Sequence, residues 1–152
     1  MAAKPVPEGY HSVTPYLIVQ GAAKTIDFAR KAFGAEMAVE PMKRPDGKIM
    51  HAELKIGDSH VMVSDADERH PAMPSMLYLY VPDVDSAYRR AVSAGGTSLM
   101  EPMDQFYGDR SGGVKDPAGN QWFIGTHKED LSPAELRKRA EAHLKAQQGK
   151  AA

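Results

Sequence analysis

At 152 residues and 42% hydrophobic content, the chain is long enough to bury one sizeable core and fits a single structural domain. Its 19 basic and 20 acidic side chains leave a formal charge of -1, which supplies no summed field for nucleic acid or an anionic membrane surface. Cysteine is absent, which excludes disulfides, thiolate metal sites and cysteine nucleophiles.

The opening "MAAKPVPEGYHS" lacks the apolar run of a secretory signal, and no stretch approaches the ~20 apolar residues of a membrane span, so a cytoplasmic protein is expected. In "VTPYLIVQ" the β-branched and aromatic content over a short run predicts a strand. Residues 22–33 then place Ile26, Ala29, Arg30 and Phe33 at helical spacing, and Gly34 stands where a C-cap needs positive φ. Three strands follow at about 36–42, 48–56 and 59–65, joined at the turn signals "RPDGK" and "GD".

The order then repeats. "PYLIVQGAAKTIDFARKAFGAE" aligns with "LYLYVPDVDSAYRRAVSAGGTS", setting Tyr16 on Tyr78, Leu17 on Leu79, Val19 on Val81, Ala29 on Ala91 and Gly34 on Gly96. Glu40-Pro41-Met42 recurs as Glu101-Pro102-Met103, and Gly57 as Gly119. The second half therefore reads as a strand at 75–81, a helix at 84–94 and strands at about 97–103, 109–115 and 120–126. The expected fold class is α+β, with two tandem βαβββ modules at residues 13–65 and 75–127 in one structural domain. Ser132-Pro133-Ala134-Glu135 is a capping box with proline at the first helical position, and it opens a C-terminal helix over 131–148. Leu136, Ala140 and Leu144 give this helix only a thin apolar stripe, so it is expected to lie on the body or on a second subunit.

The paired βαβββ plan, the strand-to-helix passage "YLIVQGAAKTIDFARKAFGAE" and the closing "DPAGNQWFIGTH" resemble the glyoxalase/bleomycin-resistance/extradiol-dioxygenase superfamily, also called vicinal oxygen chelate, over about residues 13–127. "HAELKIGDSHVMVSD" together with "YGDRSGGVKDPAGNQW" is most similar to its uncharacterised PhnB-type branch. The resemblance implies an incomplete eight-stranded barrel, a cleft shared by two modules and frequent pairing of subunits. It also implies metal-ligand positions, which fall here at Thr14, near Val61, at Met76 and at Phe123. Three of these are apolar and a lone threonine hydroxyl is a weak ligand, so no metal is expected at the inherited site.

Other residues offer chemistry. His51 and Glu53 lie two apart on a strand, hence on one face, where they could act as base and orienter or as two metal ligands; Lys55 extends them into what could equally be a solvated stripe. His127 aligns with Asp65 at the end of the equivalent strand, so the two could face each other across a cleft or simply cap turns. Arg110, beside Tyr107 and Asp109 in "FYGDRSGG", suits bidentate capture of a carboxylate or phosphate, or a structural pair. Tyr16, Tyr78 and Tyr80 share one face of the two first strands, opposite the aliphatic residues that would pack on the helices, and so would line the cleft. Trp122 is expected in the core.

Three functions compete. The first is metal-independent binding or sequestration of a small organic molecule, with Tyr16, Tyr78, Tyr80, Tyr107, Arg110 and Asp65 as contacts and no cofactor. The second is a lyase, isomerase or dioxygenase with a relocated divalent metal, or with His51, Glu53 or His127 as base. The third is an interaction module whose terminal helix serves assembly. Whether the protein is an enzyme stays open at this level. A homodimer is expected, and nucleic-acid and membrane partners are not.

Overall fold

The computed structural model describes residues 2–151. The first module runs β1 (Tyr16–Val19), α1 (Ala22–Phe33), β2 (Glu36–Lys43), β3 (Ile49–Ile56) and β4 (Ser59–Asp65). The second repeats it as β5 (Met76–Tyr80), α2 (Val84–Ser93), β6 (Thr97–Asp104), β7 (Asp109–Lys115) and β8 (Gln121–His127), and α3 (Pro133–Ala151) ends the chain. Two four-stranded sheets result, ordered β1-β4-β3-β2 and β5-β8-β7-β6, each with its first strand parallel to its last. The expected two-module α+β fold is therefore the one adopted. Within one chain the sheets remain separate, and α1 packs against α2.

Amphipathic strands and helices settle which face is which. Leu17 and Val19 of β1, Leu54 of β3, Val63 of β4 and Trp122 and Ile124 of β8 are buried with Phe28 of α1 and Ala87 and Ala91 of α2 in one shared core. Trp122 packs at a tilt on Phe33, with ring centroids 5.1 Å apart, and donates from Nε1 to Asp116, which spares its polar edge an unpaired burial. Because side chains alternate along a strand, Tyr16, Tyr78 and Tyr80 must stand on the opposite, helix-free faces, and there they are partly exposed.

Two details depart from the expectations. Val61, placed near an inherited ligand position, pairs with Leu54 and lies in the core; its neighbour Met62 pairs with Tyr16 and Glu53 and takes the helix-free face. That is the one-residue slip to which strand readings are prone. The terminal helix runs to Ala151, beyond residue 148, and has no buried residue. It touches the body through ion pairing of Arg139 with Glu129 and a ring contact of His143 with Phe106 at 4.7 Å. No helix among the described residues is long and apolar enough to cross a membrane.

Candidate functional site

On the second sheet the helix-free face is built from aromatic rings laid over glycines. Tyr78 pairs with Phe123 and Tyr80 with Gly125. A Cβ on Gly125 would stand 2.5 Å from the Tyr78 hydroxyl oxygen, and one on Gly113 would stand 2.9 Å from the Phe123 ring. Only the missing side chains let these rings settle onto the strands. The Tyr78 and Tyr80 rings sit 5.1 Å apart, and both hydroxyls donate to Oδ2 of Asp109, at 2.9 and 3.0 Å. The other oxygen of Asp109 bonds Nδ1 of His127 at 2.8 Å, while His127 Nε2 bonds Asp130 at 2.8 Å. Tyr107 completes the cluster, its hydroxyl 3.2 Å from that of Ser111.

The electrostatics follow from these contacts. Burial alone would raise the Asp109 carboxyl, but hydrogen bonds from His127, Tyr78 and Tyr80 outweigh it and hold the group below the ordinary carboxylate range. Asp109, with Asp130 second, lifts the His127 imidazole above its ordinary value. Burial, then the bonds with Tyr107 and Asp109, push the Tyr78 phenol well up, and Asp109 does the same to Tyr80. Both phenols are therefore firmly protonated.

The first sheet carries a different network. His51 Nε2 bonds Glu53 at 2.9 Å, His51 Nδ1 bonds the Tyr16 hydroxyl at 2.8 Å, and Tyr10 donates to the other Glu53 oxygen. Tyr10 also stacks on His60 with centroids 3.9 Å apart, so the N-terminal segment lies against this sheet. Tyr16 and Ile18 open onto a cavity of about 460 Å³ whose walls include Arg44, Met50, Ser64 and Asp65. A slightly larger depression of about 490 Å³, between α1 and β2, is lined by Ile26, Arg30, Lys31 and Lys43 and holds none of the candidate residues.

Several residues have partners that sequence reasoning does not supply. Asp65 does not meet His127. Its Oδ1 accepts the backbone N–H groups of Gly21 and Ala22, at 3.0 and 2.8 Å, and its Oδ2 accepts that of Ile49 at 2.7 Å. It thus serves the start of α1, where Gly21 has no side chain to cap with. Arg110 is held by Asp85 of α2 in a bidentate pair at 2.9 and 3.0 Å, with Asp104 at 3.4 Å. Tyr10, Asp130 and Ser111 join the site without having been candidates, and Phe123 and Asp109 join it in roles other than a ligand position and a partner of Arg110. A carboxylate beside "FYG" at the start of a strand, with His127 at the end of the next strand, is the signal by which Asp109 was findable.

The inherited metal positions do not fit a divalent cation. The Thr14 hydroxyl donates to the His11 carbonyl, Val61 is in the core, and neither Met76, Phe123 nor the adjacent Met62 offers a hard oxygen or an imidazole. Among the described residues no three His, Asp or Glu side chains converge as a ligand set.

Comparisons with known proteins agree with the fold. Residues 9–124 match the family described as Glyoxalase/Bleomycin resistance protein/Dioxygenase superfamily. An uncharacterised protein of Mycobacterium bovis is 35% identical over 136 residues, which cover 82% of this chain and 89% of that protein. Among solved structures, a lactoylglutathione lyase from Agrobacterium tumefaciens superposes with a TM-score of 0.57 at 24% identity, covering 81% of this chain and 96% of that one. TnmS3, an antibiotic binding protein from Streptomyces sp. CB03234, superposes with a TM-score of 0.60 at 20% identity, covering 84% and 99%. At these identities the two structures share the fold.

Proposed function

The chain belongs to the Glyoxalase/Bleomycin resistance protein/Dioxygenase superfamily, and within it we propose that the protein binds a small, largely planar organic molecule without a metal, on the tyrosine faces of its sheets. The observation that carries this reading is the second sheet's aromatic surface, in which Tyr78 lies on Gly125, Phe123 lies on Gly113, and Asp109 ties down both tyrosine hydroxyls. Rings fixed in advance lose little freedom on binding, so less of the ~25 cal/mol per Å² gained by covering apolar surface is lost to ordering them. TnmS3 supports the reading as a protein of this fold that binds an antibiotic. The sequence passages quoted above lead us to place the chain in the PhnB-type branch, and we propose a cytoplasmic location and pairing with a second copy.

The Tyr16–His51–Glu53–Tyr10 chain favours one further reading, an enzyme in which His51 serves as base with Glu53 orienting it, or in which both ligate a relocated metal. A single experiment separates the two. Aromatic probes are titrated by calorimetry with and without a chelator, and zinc, nickel, manganese and iron(II) are titrated into wild type, His51→Ala and Glu53→Ala. Binding of an aromatic probe that ignores the chelator, with no metal bound at one per chain, is the expected result. One metal per chain, abolished by both substitutions along with a lyase or dioxygenase activity, replaces the proposal with the enzyme.

A further inference from the structure

Hydrogen-bond direction on the tyrosine faces assigns a ligand class. Asp109 carries only acceptors, so Tyr78 and Tyr80 spend their single protons on it. On the first sheet Glu53 is likewise an acceptor, so His51 Nε2 must carry the hydrogen of their bond. In the tautomer that leaves Nδ1 without a hydrogen, that nitrogen accepts and Tyr16 donates to it. Tyr78, Tyr80 and, in that tautomer, Tyr16 therefore point their protons inward; the Tyr78 oxygen is already met by Tyr107 and Ser111 and lies on Gly125, so Tyr80 and Tyr16 are the two whose oxygen lone pairs face the ligand.

The cations nearest these faces are engaged as well. Arg110 is held by Asp85 and Asp104, Arg44 faces Asp67 and Asp46, and His127 lies between Asp109 and Asp130. Lys55, two residues beyond Glu53 on β3, and Lys128, next to His127, are exposed and are where an anion could still be met.

We propose, resting on the binding function above, that these faces select planar aromatic ligands bearing O–H or N–H donors, such as phenols and hydroxylated polycyclic aromatics, and discriminate against ligands whose polar groups only accept. A donor completes a bond to a waiting tyrosine oxygen. An ether or a carboxylate sets acceptor against acceptor, and its own polar group goes unpaired as it is desolvated.

The test uses naphthol, its methyl ether and naphthoate, titrated calorimetrically into the full chain at neutral pH. Naphthol is expected to bind about tenfold or more tightly than the other two, the discrimination of one lost hydrogen bond to a buried group. In Asp109→Asn the carboxamide nitrogen donates to a tyrosine oxygen and turns that tyrosine's proton outward, so the preference for naphthol over its ether is expected to shrink to about twofold or to reverse. Should that variant fail to fold, Tyr78→Phe/Tyr80→Phe removes the hydroxyls and is expected to level naphthol and ether while both still bind. If the ether or naphthoate binds wild type as tightly as naphthol, the donor rule is overturned and the binding function stands. If none of the three binds, the binding function itself fails and the rule falls with it.

Discussion

His127 and Asp109 are register partners, the last residue of β8 opposite the first of β7, and their side chains bond at 2.8 Å across the end of the second sheet. The pair fastens the ends of β7 and β8 where Asp109 accepts from Tyr78 and Tyr80 of β5, and it makes stability depend on pH with a definite sign. The folded protein binds the His127 proton more tightly than the unfolded chain does, because Asp109 and Asp130 raise its imidazole above the ordinary 6.5. The contribution is thus complete below 6.5 and is lost as pH rises through the folded value. Melting curves across this window should show wild type losing stability with rising pH, and His127→Gln should flatten that dependence. Asp109 acts oppositely. Its lowered folded value gives stability above its ordinary 3.8 that disappears as pH falls through the folded one.

Asp65 gives a second prediction, one of stability alone. Three backbone N–H groups depend on its carboxylate. Burial opposes its ionisation, but the bonds from Ala22, Ile49 and Gly21 together with the Arg44 charge hold the group below the ordinary range. Asp65→Ala should cost about 1–3 kcal/mol by denaturant unfolding, since it removes the acceptor of the N–H groups that open α1 and begin β3. Asp65→Asn keeps acceptors for part of the set and should cost less. Equal losses for the two would mean that the carboxylate's hydrogen bonds are not what matters.

Gly125 tests the site without touching any group that could do chemistry. A methyl there would meet the Tyr78 hydroxyl oxygen at 2.5 Å and carbon atoms of its ring at 2.8 and 2.9 Å. The ring must lift, and its bond to Asp109 stretches or breaks. Gly125→Ala should therefore destabilise the fold by about 1–3 kcal/mol, the usual cost of overpacking. It should also weaken naphthol binding by about tenfold, the worth of one misplaced polar contact. Retained affinity would move the ligand off the second sheet.

Much of this architecture was legible beforehand, because duplication aligns every element of one module with a counterpart in the other and strand alternation separates tyrosines from aliphatics. His51 and Glu53 were legible as a pair for the same reason, being two residues apart on one strand. The register of β4 was harder. "SHVMVSD" is apolar at three consecutive positions, so nothing local decides between Val61 and Met62, and the choice comes from pairing with Leu54 and Glu53. Tyr10 was out of reach, since it joins Glu53 from 43 residues away and through a segment with no periodicity. Arg110 read equally well as an anion clamp until Asp85, 25 residues earlier on a helix, was placed beside it.

The exposed apolar side chains lead to the last prediction, the homodimer. β5 lies at the end of its sheet with no strand on its outer edge among the described residues, whereas β1 at the corresponding place bridges Met73 through Ile18. Met76 and Tyr80 of that open strand are 64% and 61% exposed. An unpaired edge flanked by methionine and tyrosine is a template for another chain unless it is covered. A second copy is the partner that is always present, and a twofold pairing would cover both edges at once and halt further growth. Sedimentation equilibrium should report twice the 16.6 kDa chain mass. Met76→Lys/Tyr80→Lys, which charges the edge while leaving the buried core untouched, should return the protein to monomer with its circular dichroism unchanged. A wild-type monomer at high micromolar concentration would mean that this edge is left open to solvent.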